Sequence, residues 1–102
     1  MKNVYKFVSW DVPELDTLKN CDTYKIMEKL NNGKSLSREE KDHFPFINCC
    51  YVNHMGWRFD FKPFCNRYLV HIRNCGWHEV WHFDKTAIRK NYSNILEIVQ
   101  IG

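Results

Sequence analysis

The stretch Gly56-Trp57-Arg58-Phe59-Asp60-Phe61-Lys62 alternates without a break between ring-bearing and charged residues. On an extended chain successive side chains point to opposite faces. Trp57, Phe59 and Phe61 therefore share one side, and Arg58, Asp60 and Lys62 the other. A strict period of two is the mark of a half-buried strand. Downstream, Pro63–Asn66 turns the chain and Arg67–Arg73 reads as a second strand, with Tyr68, Val70 and Ile72 facing a core. Asn74-Cys75-Gly76 is a tight turn. Trp77–Phe83 follows as a third strand, with Trp77, Trp81 and Phe83 inward. Two such short connections predict an antiparallel meander.

Upstream, Pro45 closes a short polar helix over about Arg38–His43, opened by a capping box of Ser37 and Glu40. Before it, Asp22 is placed to cap a helix reaching about Asn32. Thr23, Ile26, Met27 and Leu30 form its buried stripe and Gly33 its stop. Val4–Trp10 is β-branched and aromatic, so it reads as a first strand, broken by Asp11-Val12-Pro13. At the other end Asp84 caps a helix through Thr86, Ile88 and Tyr92, and the alternation of Ile95–Ile101 favours a last strand. The order β-α-α-β-β-β-α-β predicts an α+β fold over residues 1–102 as one domain, with helices on one face of a mostly antiparallel sheet. Hydrophobic residues make up 44% of the chain and aromatic ones 16%, enough to exclude disorder.

No apolar leader or membrane-length run is visible, so a cytoplasmic protein is expected. The five cysteines, Cys21, Cys49, Cys50, Cys65 and Cys75, are then expected to be free and buried. The net charge of +3 comes from the second part of the chain: beyond Asp42, seven Lys and Arg face four Asp and Glu, and all five His lie there.

Three constellations bear on function. His78-Glu79-Val80-Trp81-His82 spells the zinc-hydrolase pattern HExxH. That chemistry needs a helix, which sets the two imidazoles one turn apart. On a strand they lie roughly 13 Å apart, too far to share a metal. Cys49, Cys50, His54, Cys65, His71, Cys75, His78 and His82 are numerous enough for a structural zinc site, but lack paired-knuckle spacings. No catalytic residue, metal or cofactor is therefore assigned. The third constellation is the outward face of the meander: Arg58, Lys62, Arg67, His71, Arg73, His78 and His82. Together they would form a basic strip suited to phosphates or acidic side chains. The same residues would also serve as an ordinary solvated face that discourages aggregation.

The stretches Tyr5–Glu14, Glu28–Lys41, Gly56–Phe61 and Asp84–Thr86 resemble small proteins of phages and mobile elements in low-GC gut bacteria. The resemblance covers most of the chain and implies a setting in which anti-CRISPR proteins occur. It implies a non-enzymatic inhibitor whose partner is a protein, such as a Cas effector or its guide RNA complex. Direct binding of nucleic acid through the basic face is the alternative, and a zinc hydrolase the second alternative.

Overall fold

Met55 and Gly56 both take positive φ angles, 51° and 88°. Two consecutive left-handed residues make the tight loop whose twist suits a hairpin. The loop joins β2 (Tyr51–His54) to β3 (Trp57–Asp60), with His54 opposite Trp57 and Val52 opposite Phe59. Glycine is required there twice over. A Cβ at Gly56 would stand 2.3 Å from Val12 Cγ1, because residues 8–12 lie across the turn. β1 (Val4–Lys6) pairs with the other side of β3, completing a sheet in the order β1-β3-β2.

The structure is a computed structural model and describes residues 1–102. It has the α+β architecture expected of the sequence, divided between two small antiparallel sheets. The second sheet has the order β5-β4-β6, formed by β4 (Asn66–Ile72), β5 (Gly76–His82) and β6 (Ile95–Gln100). The meander expected over 56–83 is thus broken after its first strand. Phe61 leaves the extended conformation (φ −89°, ψ −7°) and Lys62–Phe64 forms a 3-10 turn around Pro63. This redirects the chain, and both edges of β3 are already taken by β1 and β2. β2 was not expected from the sequence.

Each sheet carries its own helix. α1 (Asp22–Asn31) buries Thr23, Tyr24, Ile26 and Met27, with Leu30 half-buried. Its cap is Cys21 rather than Asp22, since the Tyr24 amide donates to Cys21 Sγ at 3.3 Å. α2 (Arg38–Lys41) has the full capping box of Ser37 and Glu40. α1 packs with Val52, Phe59, Phe61, Phe44 and Phe83 in one core cluster. α3 (Lys85–Asn91), capped by Asp84, sets Ile88 against Tyr68, Val70, Val80 and Ile98 in a second. Complete burial of such a side chain contributes about 1.5–3 kcal/mol. The Phe83 ring, just past β5, meets Phe44 and Phe61, so it ties the second sheet to the first core.

The cysteines are free, but only Cys49 is fully buried; Cys21, Cys50 and Cys65 are half-buried and Cys75 is exposed. Cys49 Sγ and Cys65 Sγ are 3.6 Å apart. That contact, together with burial, raises the Cys65 thiol far above its ordinary pKa. No helix is long and apolar enough to cross a membrane.

Candidate interaction surface

The register of β4 against β5 decides which side chains look outward. A β-turn closed by the Cys75 amide on the Ile72 carbonyl (3.0 Å) places Ile72 opposite Gly76. Asn74, with φ 65°, supplies the left-handed position. Val80 then lies opposite Tyr68, His78 opposite Val70 and His82 opposite Asn66. Opposed residues share a face, so β5 turns Val80 and His82 toward α3 and the core. Trp77, Glu79 and Trp81 point out.

This reverses the facing expected for β5. Trp77, expected in the core, is 50% exposed, and His82, expected on the surface, is fully buried. A shift of one residue flips every side chain of a strand. The buried Tyr68 and Val70 hold β4 in place, and β5 follows through the turn.

The expected basic strip is accordingly dispersed. Arg58 sits on the first sheet, between the rings of Phe7 and Tyr51 at 5.5 Å each, and donates to Asn53 Oδ1 at 3.2 Å. Arg73 lies in the β4–β5 turn, exposed. His78 is exposed at the edge of β5, where its Nε2 lies 3.0 Å from the Cys75 carbonyl. Lys62, Arg67 and His71 remain together on the outer face of the second sheet.

There they are organised by the two tryptophans. Lys62 Nζ stands 4.8 Å from the centre of the Trp81 ring, and the Arg67 guanidinium 5.9 Å from it. Glu79 accepts from Arg67 Nη2 at 2.9 Å and from the Trp81 indole N–H at 3.2 Å. The Arg67 guanidinium, with the indole helping, holds the Glu79 carboxyl below its ordinary pKa. His71 stacks on Trp77 with ring centres 4.8 Å apart and planes 16° from parallel. Leu69, opposite Glu79 on one side and Val99 on the other, fills the middle of the face. Two large rings are thus held in position on the outer face by cations and a stack, Trp77 exposed and Trp81 half-buried. Their ordering cost on binding is low, and aromatic and Arg side chains are the anchors protein partners most often use. Sequence reasoning missed both tryptophans as surface groups. In Gly76–His82 the alternation favours Trp77 and Trp81 as the inward set, and the register imposed by the turn overrides it.

HExxH is a strand here. His78 and His82 occupy positions four residues apart along it, and His82 Nδ1 accepts the Phe83 amide at 2.8 Å. No group of three or more His, Cys, Asp or Glu side chains is placed to hold a metal ion.

With Nδ1 an acceptor, His82 is neutral and carries its hydrogen on Nε2, which is buried beside the Phe46 backbone but makes no well-formed hydrogen bond. Burial lowers its pKa below the ordinary value, against an opposing pull from Asp84. The unfolded chain therefore takes up this proton first as pH falls. Folding stability should decline as pH drops below about 6.5 and level off once the folded histidine protonates. Urea denaturation between pH 7.5 and 5 measures the slope, and His82→Gln should flatten it. An unchanged slope in that variant would assign the pH dependence elsewhere.

No family model, no curated protein and no solved structure matches the chain.

Proposed function

We propose that the protein is a non-enzymatic binding protein that inhibits a nucleic-acid-handling machine, in the manner of an anti-CRISPR protein that occupies and blocks a Cas nuclease effector. The observation that supports a binding role is the outer face of the second sheet. It presents Trp81 with Lys62 and Arg67 over its ring, and Trp77 stacked on His71. The resemblance to small phage and mobile-element proteins supplies the class of partner. Effector–guide complexes carry acidic and phosphate-rich surface, which the Lys62 and Arg67 cations complement, and flat rings suit a protein groove.

The same rings flanked by cations would also serve a single-stranded nucleic acid, by stacking on bases and neutralising phosphates. The two readings separate in one pair of measurements. Purified protein is added in excess to Cas effector–guide complexes of several types during DNA cleavage, and in parallel titrated onto single-stranded oligonucleotides across a salt series. The proposal expects cleavage to stop with at least one effector, and oligonucleotide binding to be weak. Trp81→Ala should weaken effector binding about 30-fold, the size of an interfacial hot spot of about 2 kcal/mol. Uninhibited cleavage throughout sinks the proposal. Tight oligonucleotide binding that fades with salt would install the alternative.

A further inference from the structure

β5 is an edge strand, and one end of that edge is already in use. The Cys49 amide donates to the Trp81 carbonyl at 3.0 Å, and the Trp81 amide to Asn48 Oδ1 at 3.4 Å. Trp81 therefore turns its backbone groups away from β4. The other side of the sheet agrees, since Arg67, opposite Trp81, directs its own backbone groups to Ile101 and Gly102 beyond β6. Backbone groups alternate in direction along a strand. By that alternation the N–H and C=O of Glu79 and Trp77 also point outward, and the hydrogen bonds made outside regular elements include none from them. Residues 77–79 are exposed.

Beside this free edge lies a groove of about 430 Å³, lined by Ile47, Ile72, Val80 and Tyr92 and by polar residues that include His78 and Glu79. That volume is within the range of ligand pockets. Ile72 and Val80 bring to it side chains from the inward face of the sheet. The other edge of the sheet, β6, has no such groove beside it.

We propose that the β5 edge and this groove receive an extended segment of a protein partner, added as a further strand with an apolar side chain at every second position. The occupant follows from the two features together. Unpaired N–H and C=O groups in a strand-like row are satisfied by another extended backbone. The residues of that backbone opposite His78 and Val80 would share their face and project into the groove. The residues between them would emerge beside Trp77 and Glu79. The intrachain pairing of Asn48 and Cys49 on Trp81 marks where the added strand begins, because it leaves the edge open from Glu79 onward. This inference does not depend on the identity of the partner proposed above.

The test uses the full chain and a library. Random decapeptides displayed on phage are panned on the immobilised protein, and an enriched peptide is synthesised for binding by fluorescence polarisation. The inference expects enriched sequences with apolar residues two apart. Glu79→Pro removes an amide that faces outward, so the bonds to β4 are kept; Glu79→Ala loses the same carboxylate but keeps the amide. Affinity should fall at least about tenfold in the proline variant and by less than about threefold in the alanine variant. Because the proline variant can fail to fold, the peptide is also N-methylated one residue at a time against the unaltered protein. Loss should alternate along the peptide. Equal affinity of the two variants, indifference to N-methylation, or no peptide that depends on Glu79 would each overturn the inference. So would a dimer in sedimentation that Glu79→Pro dissociates, since the occupant would then be a second copy of the chain.

Discussion

Phe61→Ala is expected to remove about 3–5 kcal/mol of folding stability, the cost of cutting a fully buried phenylalanine back to its Cβ. Phe61 has no exposed surface. Its ring lies 4.9 Å from that of Phe44 and 6.0 Å from that of Phe83, the latter edge-on. It stands where β3 ends and the 3-10 turn toward the second sheet begins. The loss is therefore felt in both sheets: Phe44 belongs with α1 and the first sheet, while Phe83 is covalently continuous with β5. A domain of this size has only about 5–15 kcal/mol in total, so the variant should be close to unfolding at ambient temperature. Urea denaturation followed by tryptophan fluorescence and by far-UV circular dichroism measures it. A loss below about 1 kcal/mol would mean that the neighbouring rings collapse into the space and that the three-ring junction is dispensable. Phe61→Leu, which keeps most of the volume, should recover more than half of the difference.

Asp84→Ala is expected to cost about 1–2 kcal/mol, mostly through the cap of α3. The Ala87 amide donates to Asp84 Oδ1 at 2.9 Å. The same carboxylate takes a two-pronged contact from Arg38, with Nη1 to Oδ2 at 2.7 Å and Nη2 to Oδ1 at 2.9 Å. Arg38 also holds Asp42, which pairs with Lys90 of α3, so α2 and α3 are tied at two points. The Arg38 side chain is 44% exposed, and solvent reduces what its ion pairs contribute. Asp84→Asn separates the two effects: it keeps a good capping oxygen and removes the charge. It should therefore cost well under half as much as alanine.

The charge has a pH signature. Hydrogen bonding from Arg38, with the Ala87 amide, holds the Asp84 carboxyl below its ordinary pKa despite partial burial. The unfolded state thus takes up this proton first. The stabilisation is complete above the unfolded value of about 3.9 and is lost as pH falls through the lower folded value. Asp84→Asn should weaken the acid dependence below pH 4 relative to the unaltered protein. An identical acid limb would place that dependence on other carboxylates.

Most of the elements were legible in the sequence because their signals are local. Ser37 and Glu40 lie three residues apart and complete each other's hydrogen bonds whatever surrounds them. Asp84 caps α3 for the same reason. Phe59, Tyr68 and Val70 are buried as their alternation demands. β2 escaped notice because Tyr51–His54 is short and its turn is Met-Gly rather than a usual turn pair. Cys21 as a cap escaped because Asp22, a better capping residue, stands next to it.

The opening stretch Gly56–Lys62 shows where local reading ends. By itself the sequence determined that Trp57–Asp60 is extended, with Phe59 inward, since the period of two needs no partner to be read. Which strands flank it was decided by the tertiary structure. Phe61 and the turn at Pro63 bend the chain away, and β1 and β2 arrive from elsewhere to occupy both edges. The same holds for the surface. Composition and spacing could name Lys62, Arg67 and His71 as outward side chains. The exposure of Trp77, the outward facing of the half-buried Trp81, and the burial of His82 came from a register set by one turn and by Tyr68 and Val70 beneath it. Strand pairing is a non-local choice, and a single residue's shift in it exchanges core for surface.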